Sequence, residues 1–128
     1  MENIIHETQE SFYQYIERVA TGSQTIADYL REDKIGEAIE LIVQFSEGMG
    51  WLTKVVELME NHKYTIDINF SKINPFLKEI NDGIERQDYV IVADMFEYEI
   101  QPFFEEAKKK RFRMIEEDPH RIESIKKM

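Results

Sequence analysis

Two carboxylates of this sequence have a spacing that could support acid–base chemistry. Asp94 and Glu97 lie three residues apart within the apolar stretch VIVADMFEYEI, which predicts a helix. Two acids buried together on a helix would raise the pKa of one of them, which could then exchange a proton with a substrate. Gln101 and Glu105 continue in the same direction along the helix. The pattern therefore favours a polar stripe that faces solvent, and we assign no catalytic residue.

Histidine and acidic side chains are the groups that could bind a metal ion. Ferritin-like bundles place Glu-x-x-His pairs on facing helices, and Glu117 with His120 has this spacing. Pro119 lies between them and would disrupt a shared helical face. Glu2 and His6 lie near the chain end, where helices fray. The chain has no cysteine for a thiolate site, and we predict neither a metal centre nor a cofactor.

Arg113 and His120 have a spacing that resembles the loose Arg-x-His signature of helical-bundle ribonucleases of the HEPN class. This likeness implies an alternative function, RNA cleavage by the two side chains. The pair spans Pro119, however, whereas such a site needs an ordered helix. The net charge of −10 also repels a phosphate backbone, and we predict no nucleic-acid partner.

Bulky side chains at two places favour protein binding instead. Met49 and Trp51 stand beside Gly48 and Gly50 in a helical stretch, where two glycines cost about 2 kcal/mol relative to alanine. Close helix packing explains that cost most simply, and a groove for a partner helix is the functional explanation. Three phenylalanines also crowd around the basic run KKKR, and those that the core does not use would form a binding patch. The candidate partner-binding residues are therefore Met49, Trp51, Phe103, Phe104 and Phe112.

Helical periodicity accounts for most of the chain. A first stripe steps by four and three through Phe12, Ile16, Val19, Ser23, Ile26 and Leu30. A second repeats with a period near 3.5, as in a bundle seam, through Ile35, Ala38, Ile42, Phe45, Met49, Leu52, Val56 and Met59. We expect Asp33 to cap the second helix and the short turn to make these helices an antiparallel hairpin.

Two more helices are predicted in the second half of the chain. Asn74 is predicted to cap a third helix, which has Pro75 at its first position and ends near Arg86, and Asp88 caps a fourth. The fourth has the broadest apolar surface and should be the most buried, although Pro102 should kink it or remove one hydrogen bond. The fold is thus predicted to be all-α, an antiparallel bundle of about four helices. A similarity between residues around 26 and 80, at an offset of 54 residues, would also fit two duplicated helical hairpins.

Residues 64–70 alternate apolar and polar side chains, as a strand does. The sequence offers no second strand for it, so we predict an extended linker laid across the bundle. Pairing with a second copy of the chain is the alternative. Such pairing, with the seam of the second helix, would make the protein a homodimer or a purely structural homo-oligomer.

Length and charge indicate a single domain with a distinct end. The chain has 128 residues, 42% of them hydrophobic, and lacks the pattern of a signal peptide or a membrane span. We therefore expect a cytoplasmic protein with no membrane partner. Residues 108–128 hold eight Lys or Arg and four acids, which predicts a helical-bundle domain over 1–118 and a basic tail over 119–128.

The stretch DYVIVADMFEYEIQPFFEE, residues 88–106, resembles a segment of small uncharacterised helical proteins of Firmicutes that are associated with motility loci. In size, acidity and lack of cysteine the chain is also similar to chaperones of flagellar and type III export. These likenesses imply a non-enzymatic, cytosolic protein-binding module, chaperone- or adaptor-like, that holds an amphipathic helix of another protein.

Overall fold

The computed structural model describes residues 2–115 and confirms the all-α bundle. Its elements are α1 (Glu2–Arg31), α2 (Ile35–Asn61), β1 (Tyr64–Thr65), a 3-10 turn (Phe70–Ile73), α3 (Asn74–Glu85), α4 (Tyr89–Met95), a π segment (Phe96–Ile100), α5 (Gln101–Ala107) and β2 (Arg113–Met114). From α4 to α5 the helix is uninterrupted, and we call this part the α4–α5 rod. Within 2–115 no helix is both long and apolar enough to cross a membrane. The predicted basic tail, 119–128, lies outside the described residues.

α1 ends in a turn that reverses the chain within three residues. Asp33 has a positive φ of 63°, and its amide donates to the Leu30 carbonyl at 3.4 Å. The Lys34 amide donates to the Tyr29 carbonyl at 2.8 Å. This pair of bonds is the Schellman arrangement that closes a helix C-terminus. The prediction that Asp33 caps α2 is therefore wrong, because its left-handed backbone ends α1 and Lys34 takes the N-cap position.

The same turn recurs between α3 and α4. Gln87 has a φ of 57°, and the Asp88 amide donates to the Gly83 carbonyl at 2.7 Å. Asp33 and Gln87 are separated by the 54 residues of the internal sequence similarity. Asp88 caps α4 as predicted, since its carboxylate accepts a hydrogen bond from the Ile91 amide at 3.3 Å. The two hairpins thus have the same type of turn. Their origin by duplication remains a prediction.

α3 is a short helix that packs against the start of the rod. Pro75 lies in its first turn as predicted. Asn74 is its first residue rather than its cap, because the 3-10 turn leads directly into the helix. The contact with α4 is close at Gly83, where a Cβ atom would lie 2.7 Å from Cγ2 of Val92. A glycine is therefore required for this helix pair to approach.

The α4–α5 rod carries the most buried side chains of its half of the bundle. Phe96, Ile100 and Phe104 are fully buried, as the breadth of the apolar surface predicts. Pro102 does not end the helix. The preceding residues form a π turn instead, in which the Gln101 amide donates to the Phe96 carbonyl. Since Pro102 has no amide to continue this pattern, the π turn stops there and α5 follows.

The core lies between α1, α2 and the rod. α1 runs unbroken, and all six residues of its predicted stripe are buried. α2 follows its predicted seam, except that Ile35 is half-buried and Val55 is buried in place of Val56. Phe45 of α2 meets the rings of Phe96 and Phe104 edge-on, with centroids 5.3 and 6.2 Å away. This aromatic contact joins the first hairpin to the rod.

The strand-like segment has a partner inside the same chain. β1 pairs antiparallel with β2, and the Ile115 amide donates to the Lys63 carbonyl at 2.8 Å. The prediction that this segment has no partner strand is therefore wrong for Tyr64 and Thr65, whereas residues 66–69 continue without a strand ladder. β2 follows a basic run and has no alternating pattern that would identify it as a strand. It is held by Phe112, whose ring lies 4.9 Å from that of Phe12 and whose amide donates to the Tyr13 hydroxyl at 2.9 Å.

Phe104→Ala should lower the free energy of unfolding by about 3–5 kcal/mol, because it removes a fully buried ring and leaves a cavity. Urea unfolding followed by circular dichroism measures the change. Val90→Ala is the matched control, since Val90 is 72% exposed on the same rod and its truncation should change the free energy by less than about 0.5 kcal/mol. Equal losses in both variants would contradict this packing.

Candidate binding groove

The five predicted partner-binding residues do not form one surface. Met49 and Phe104 are buried, with 8% and 0% of their surface exposed. Their side chains therefore contribute to the core and are not available to a partner in this structure. Trp51 is 39% exposed on the outer face of α2. Of the five, it is the one whose ring lies at the surface between α1 and α2.

Phe103 and Phe112 lie together in a half-buried aromatic cluster away from Trp51. The ring of Phe103 is 6.2 Å from that of Phe70, and Phe70 is 6.2 Å from Phe12, which contacts Phe112. These rings close the bundle around β1 and β2. Packing within the bundle accounts for the positions of both side chains. Their binding to a partner remains a prediction.

Trp51 forms one wall of a groove between α1 and α2. Its ring meets that of Tyr15 edge-on, with centroids 5.6 Å apart at an angle of 84°. The Tyr15 hydroxyl lies over Gly48 and 3.5 Å from the Gln44 carbonyl. We define the α1–α2 groove by its lining, which is Ser11, Tyr15, Arg18 and Gly22 of α1 and Leu41, Gln44, Gly48 and Trp51 of α2.

The lining of the groove follows a second helical stripe on each helix. On α1, a buried residue directly follows each of positions 11, 15, 18 and 22. On α2, a buried residue directly follows each of positions 41, 44, 48 and 51. Successive helix residues are about 100° apart, so each stripe lies beside the core and faces the neighbouring helix. Sequence reasoning missed Tyr15, Arg18 and Gly22 because it followed the apolar stripe alone. This offset stripe is the signal that would have revealed them.

The two glycines of the groove differ in what surrounds them. A Cβ atom at Gly48 would collide with the Tyr15 side chain, so packing explains this glycine. A Cβ atom at Gly22 would have nothing within 4 Å. Glycine inside a helix costs about 1 kcal/mol relative to alanine. Packing among residues 2–115 gives no reason for that cost at Gly22.

Beside Gly22 the groove deepens into a cleft of about 190 Å³. The Ser23 hydroxyl donates to the Val19 carbonyl at 2.7 Å and is therefore already satisfied. The guanidinium carbon of Arg18 lies 5.5 Å from the centroid of the Tyr15 ring at the rim. Burial raises the pKa of Tyr15, so its hydroxyl is neutral at physiological pH. The apolar walls of the cleft are Val19, Ile26, Leu41 and Phe45.

The helices that form the groove are strongly acidic. α1 and α2 together hold ten acidic and three basic residues. Glu47 is exposed in the lining of the groove, as is Arg18. An apolar floor within an acidic surface complements a helix that is apolar on one face and basic at its edges.

The carboxylates Asp94 and Glu97 lie at the surface and bind Arg31. The guanidinium reaches Asp94 at 3.0 Å and Glu97 at 3.1 Å, and Gln24 donates to Glu97 at 2.9 Å. The Gln24 hydrogen bond, aided by Arg31, lowers the pKa of Glu97. A lowered pKa is opposite to the change that a general acid needs. These groups link α1 to the rod, in agreement with the polar stripe predicted from the sequence.

Among the described residues, the side chains considered for metal binding and RNA cleavage do not come together in one site. Among residues 2–115 no three His, Cys, Asp or Glu side chains gather as metal ligands would. Glu117, Pro119 and His120 lie outside the described residues. Arg113 is exposed on β2, which differs from the ordered helix that the ribonuclease alternative requires. β1, the segment considered for homodimer pairing, uses β2 of its own chain.

Comparison with known proteins identifies a sequence family that matches this chain. A sequence-family model described as "Domain of unknown function (DUF8042)" matches residues 7–110. No curated protein and no solved structure matches the chain. The matched range begins in α1 and ends just after α5, so it includes the whole α1–α2 groove and stops before β2.

Glu97→Gln should remove part of the acid sensitivity of the fold. Because the pKa of Glu97 is lowered in the folded protein, its contribution is complete above its ordinary pKa of about 4.3 and is lost as the pH falls through the lowered value. The wild type should therefore be more stable than the variant at about pH 6, and the difference should shrink toward about pH 3.

Urea unfolding at both pH values measures this difference. Glu99→Gln serves as the control, because Glu99 is exposed two residues further along the same π segment and should alter stability little. A gap between wild type and Glu97→Gln that stays constant with pH would contradict the assigned role of Glu97.

Proposed function

We propose that this chain, which belongs to the family described as a domain of unknown function (DUF8042), is a non-enzymatic module that binds a partner protein in its α1–α2 groove. The family match covers four-fifths of the chain and includes every residue of the groove lining from Ser11 to Trp51. The family description names no reaction, and the surface of the groove supports the proposal.

The observation that carries the proposal is the exposed Trp51 beside an apolar cleft. Tryptophan and tyrosine dominate protein-binding hot spots, because they bury a large area at little cost in side-chain entropy. Trp51 is 39% exposed, and Tyr15 supports it from α1. A ring held in place before a partner arrives loses little freedom on binding.

Two further apolar side chains extend the groove. Ile4 is 62% exposed and lies seven residues before Ser11 on the groove stripe of α1, and Leu58 is 45% exposed seven residues after Trp51 on α2. Seven residues are close to two helical turns, so both continue their stripes. From Ile4 to Gly22 the stripe is about 27 Å long at 1.5 Å per residue. This length matches a partner helix of about five turns.

The partner that fits is an amphipathic helix of another protein. Helix-in-groove binding needs an apolar strip on the receiving surface, which the groove supplies. The acidic surroundings favour basic partners and repel acidic ones. A chaperone or adaptor role in the cytoplasm, in motility or export, is the biological form we propose, and the resemblances of the sequence support it.

Trp51→Asp should remove partner binding while leaving the fold intact. A hot-spot residue contributes about 2 kcal/mol or more, so capture of the partner should fall by roughly 30-fold. The measurement is quantitative affinity capture from cells that express the protein, with wild type and variant compared by mass spectrometry. Circular dichroism checks that the variant is folded.

Val90→Asp is the matched control for this experiment. Val90 is 72% exposed and apolar like Trp51, but it lies on α4 away from the groove. It should retain the proteins that wild type captures. If Trp51→Asp and Val90→Asp capture the same proteins in the same amounts as wild type, the groove is not the binding surface.

A further inference from the structure

Two glycines line the groove, and each destabilises its helix relative to alanine. At Gly22, packing among the described residues does not explain this cost. The lack of a side chain serves packing at Gly48, where Tyr15 fills the space, and at Gly83, where Val92 does so. At Gly22 the space is open. The missing side chain instead gives access to the cleft between Val19, Leu41 and Phe45.

The size of the cleft decides what could enter it. Pockets for drug-sized ligands have volumes of about 300–1,000 Å³, and this cleft has about 190 Å³. Its lining is mostly apolar, with Arg18 and Gln44 as the exceptions, and the Ser23 hydroxyl is already hydrogen-bonded to its own helix. The cleft therefore suits a single large apolar side chain, such as leucine, methionine or phenylalanine, rather than a whole small molecule.

We infer that the cleft beside Gly22 is the anchor pocket of the groove. It receives one large apolar side chain from a basic amphipathic helix of a separate partner protein. This inference rests on the proposed function and makes it more specific, because it names the position that selects the partner and the chemistry of the residue that is selected.

Charge decides which residues flank the anchor. α1 and α2 hold ten acids and three bases, and Glu47 lines the groove next to the pocket. Lysine or arginine one turn before or after the anchor would lie within reach of this carboxylate. Arg18 lies over the Tyr15 ring, with its guanidinium carbon 5.5 Å from the ring centroid.

The test is a selection from a displayed library of random segments about 18 residues long, or five helical turns, against the wild-type chain. Enriched segments are synthesised with a fluorescent label, and their Kd values are measured by anisotropy. We expect one large apolar residue with Lys or Arg nearby. Changing that apolar residue to alanine should weaken binding about tenfold, and changing the basic residues to glutamate should weaken it further.

Gly22→Leu places an apolar side chain at the mouth of the pocket, where its Cβ meets nothing within 4 Å. It should weaken the selected peptides about tenfold or more. Gly36→Leu is the matched control, since Gly36 is also open, lies in a helix and is outside the groove. That variant should bind within about twofold of wild type. Both remove a helix glycine, so both should unfold at a temperature at least as high as wild type.

The outcomes separate this inference from the proposed function. If Trp51→Asp abolishes peptide binding but Gly22→Leu does not, the groove binds partners and the anchor pocket is wrong. If neither variant changes binding, or if no segment is enriched, both ideas fail. Peptides without a basic bias would overturn the assigned partner chemistry.

Two other occupants of the pocket are also distinguished. If light scattering finds a dimer that Gly22→Leu converts to a monomer, a second copy of the chain fills the pocket. If peptides bind only after residues 116–128 are removed, the chain's own C-terminal end fills it. Either result overturns the assignment to a separate partner.

Discussion

The packing of α1 against the α4–α5 rod is the contact on which the bundle depends, because α1 touches all three parts of the rod. Phe45 of α2 adds a contact with the same rod through three rings, of which two are fully buried. Burial of each ring contributes about 1.5–3 kcal/mol. Phe96 and Phe104 both contact Phe45 of α2, and the helix that carries them includes the π segment just before Pro102. A proline that could break the rod is thereby accommodated within it.

This arrangement also produces the groove. Since the core takes one stripe of α1 and the matching stripe of α2, the stripes one residue earlier must lie along the outer seam between the two helices. There Tyr15 closes over Gly48 and supports Trp51, while Gly22 leaves its neighbourhood open. The surface proposed to bind a partner is thus a direct consequence of how the core is filled.

Charged side chains link two parts of the bundle at one place and, in the proposed function, favour basic partners at another. Arg31 binds Asp94 and Glu97 and so links the end of α1 to the rod. Exposed ion pairs contribute little individually, and this one bridges two helices at their surface. The acids of α1 and α2 give these helices a net negative charge, on which the proposed preference for basic partners rests.

The sequence by itself determined the four predicted helices, the buried stripe of α1, most of the buried seam of α2 and the cap at Asp88. Helical periodicity and capping involve residues only a few positions apart, so a local pattern records them. It also singled out Trp51, because a tryptophan that closely follows Gly48 and Gly50 stands out, and the structure places its ring at the surface. Only the tertiary structure decided that β1 pairs with β2 and that Phe104 belongs to the core. It alone brought Tyr15, Gly22 and Trp51 to one groove. These outcomes depend on contacts between residues far apart in the chain, which no local pattern records.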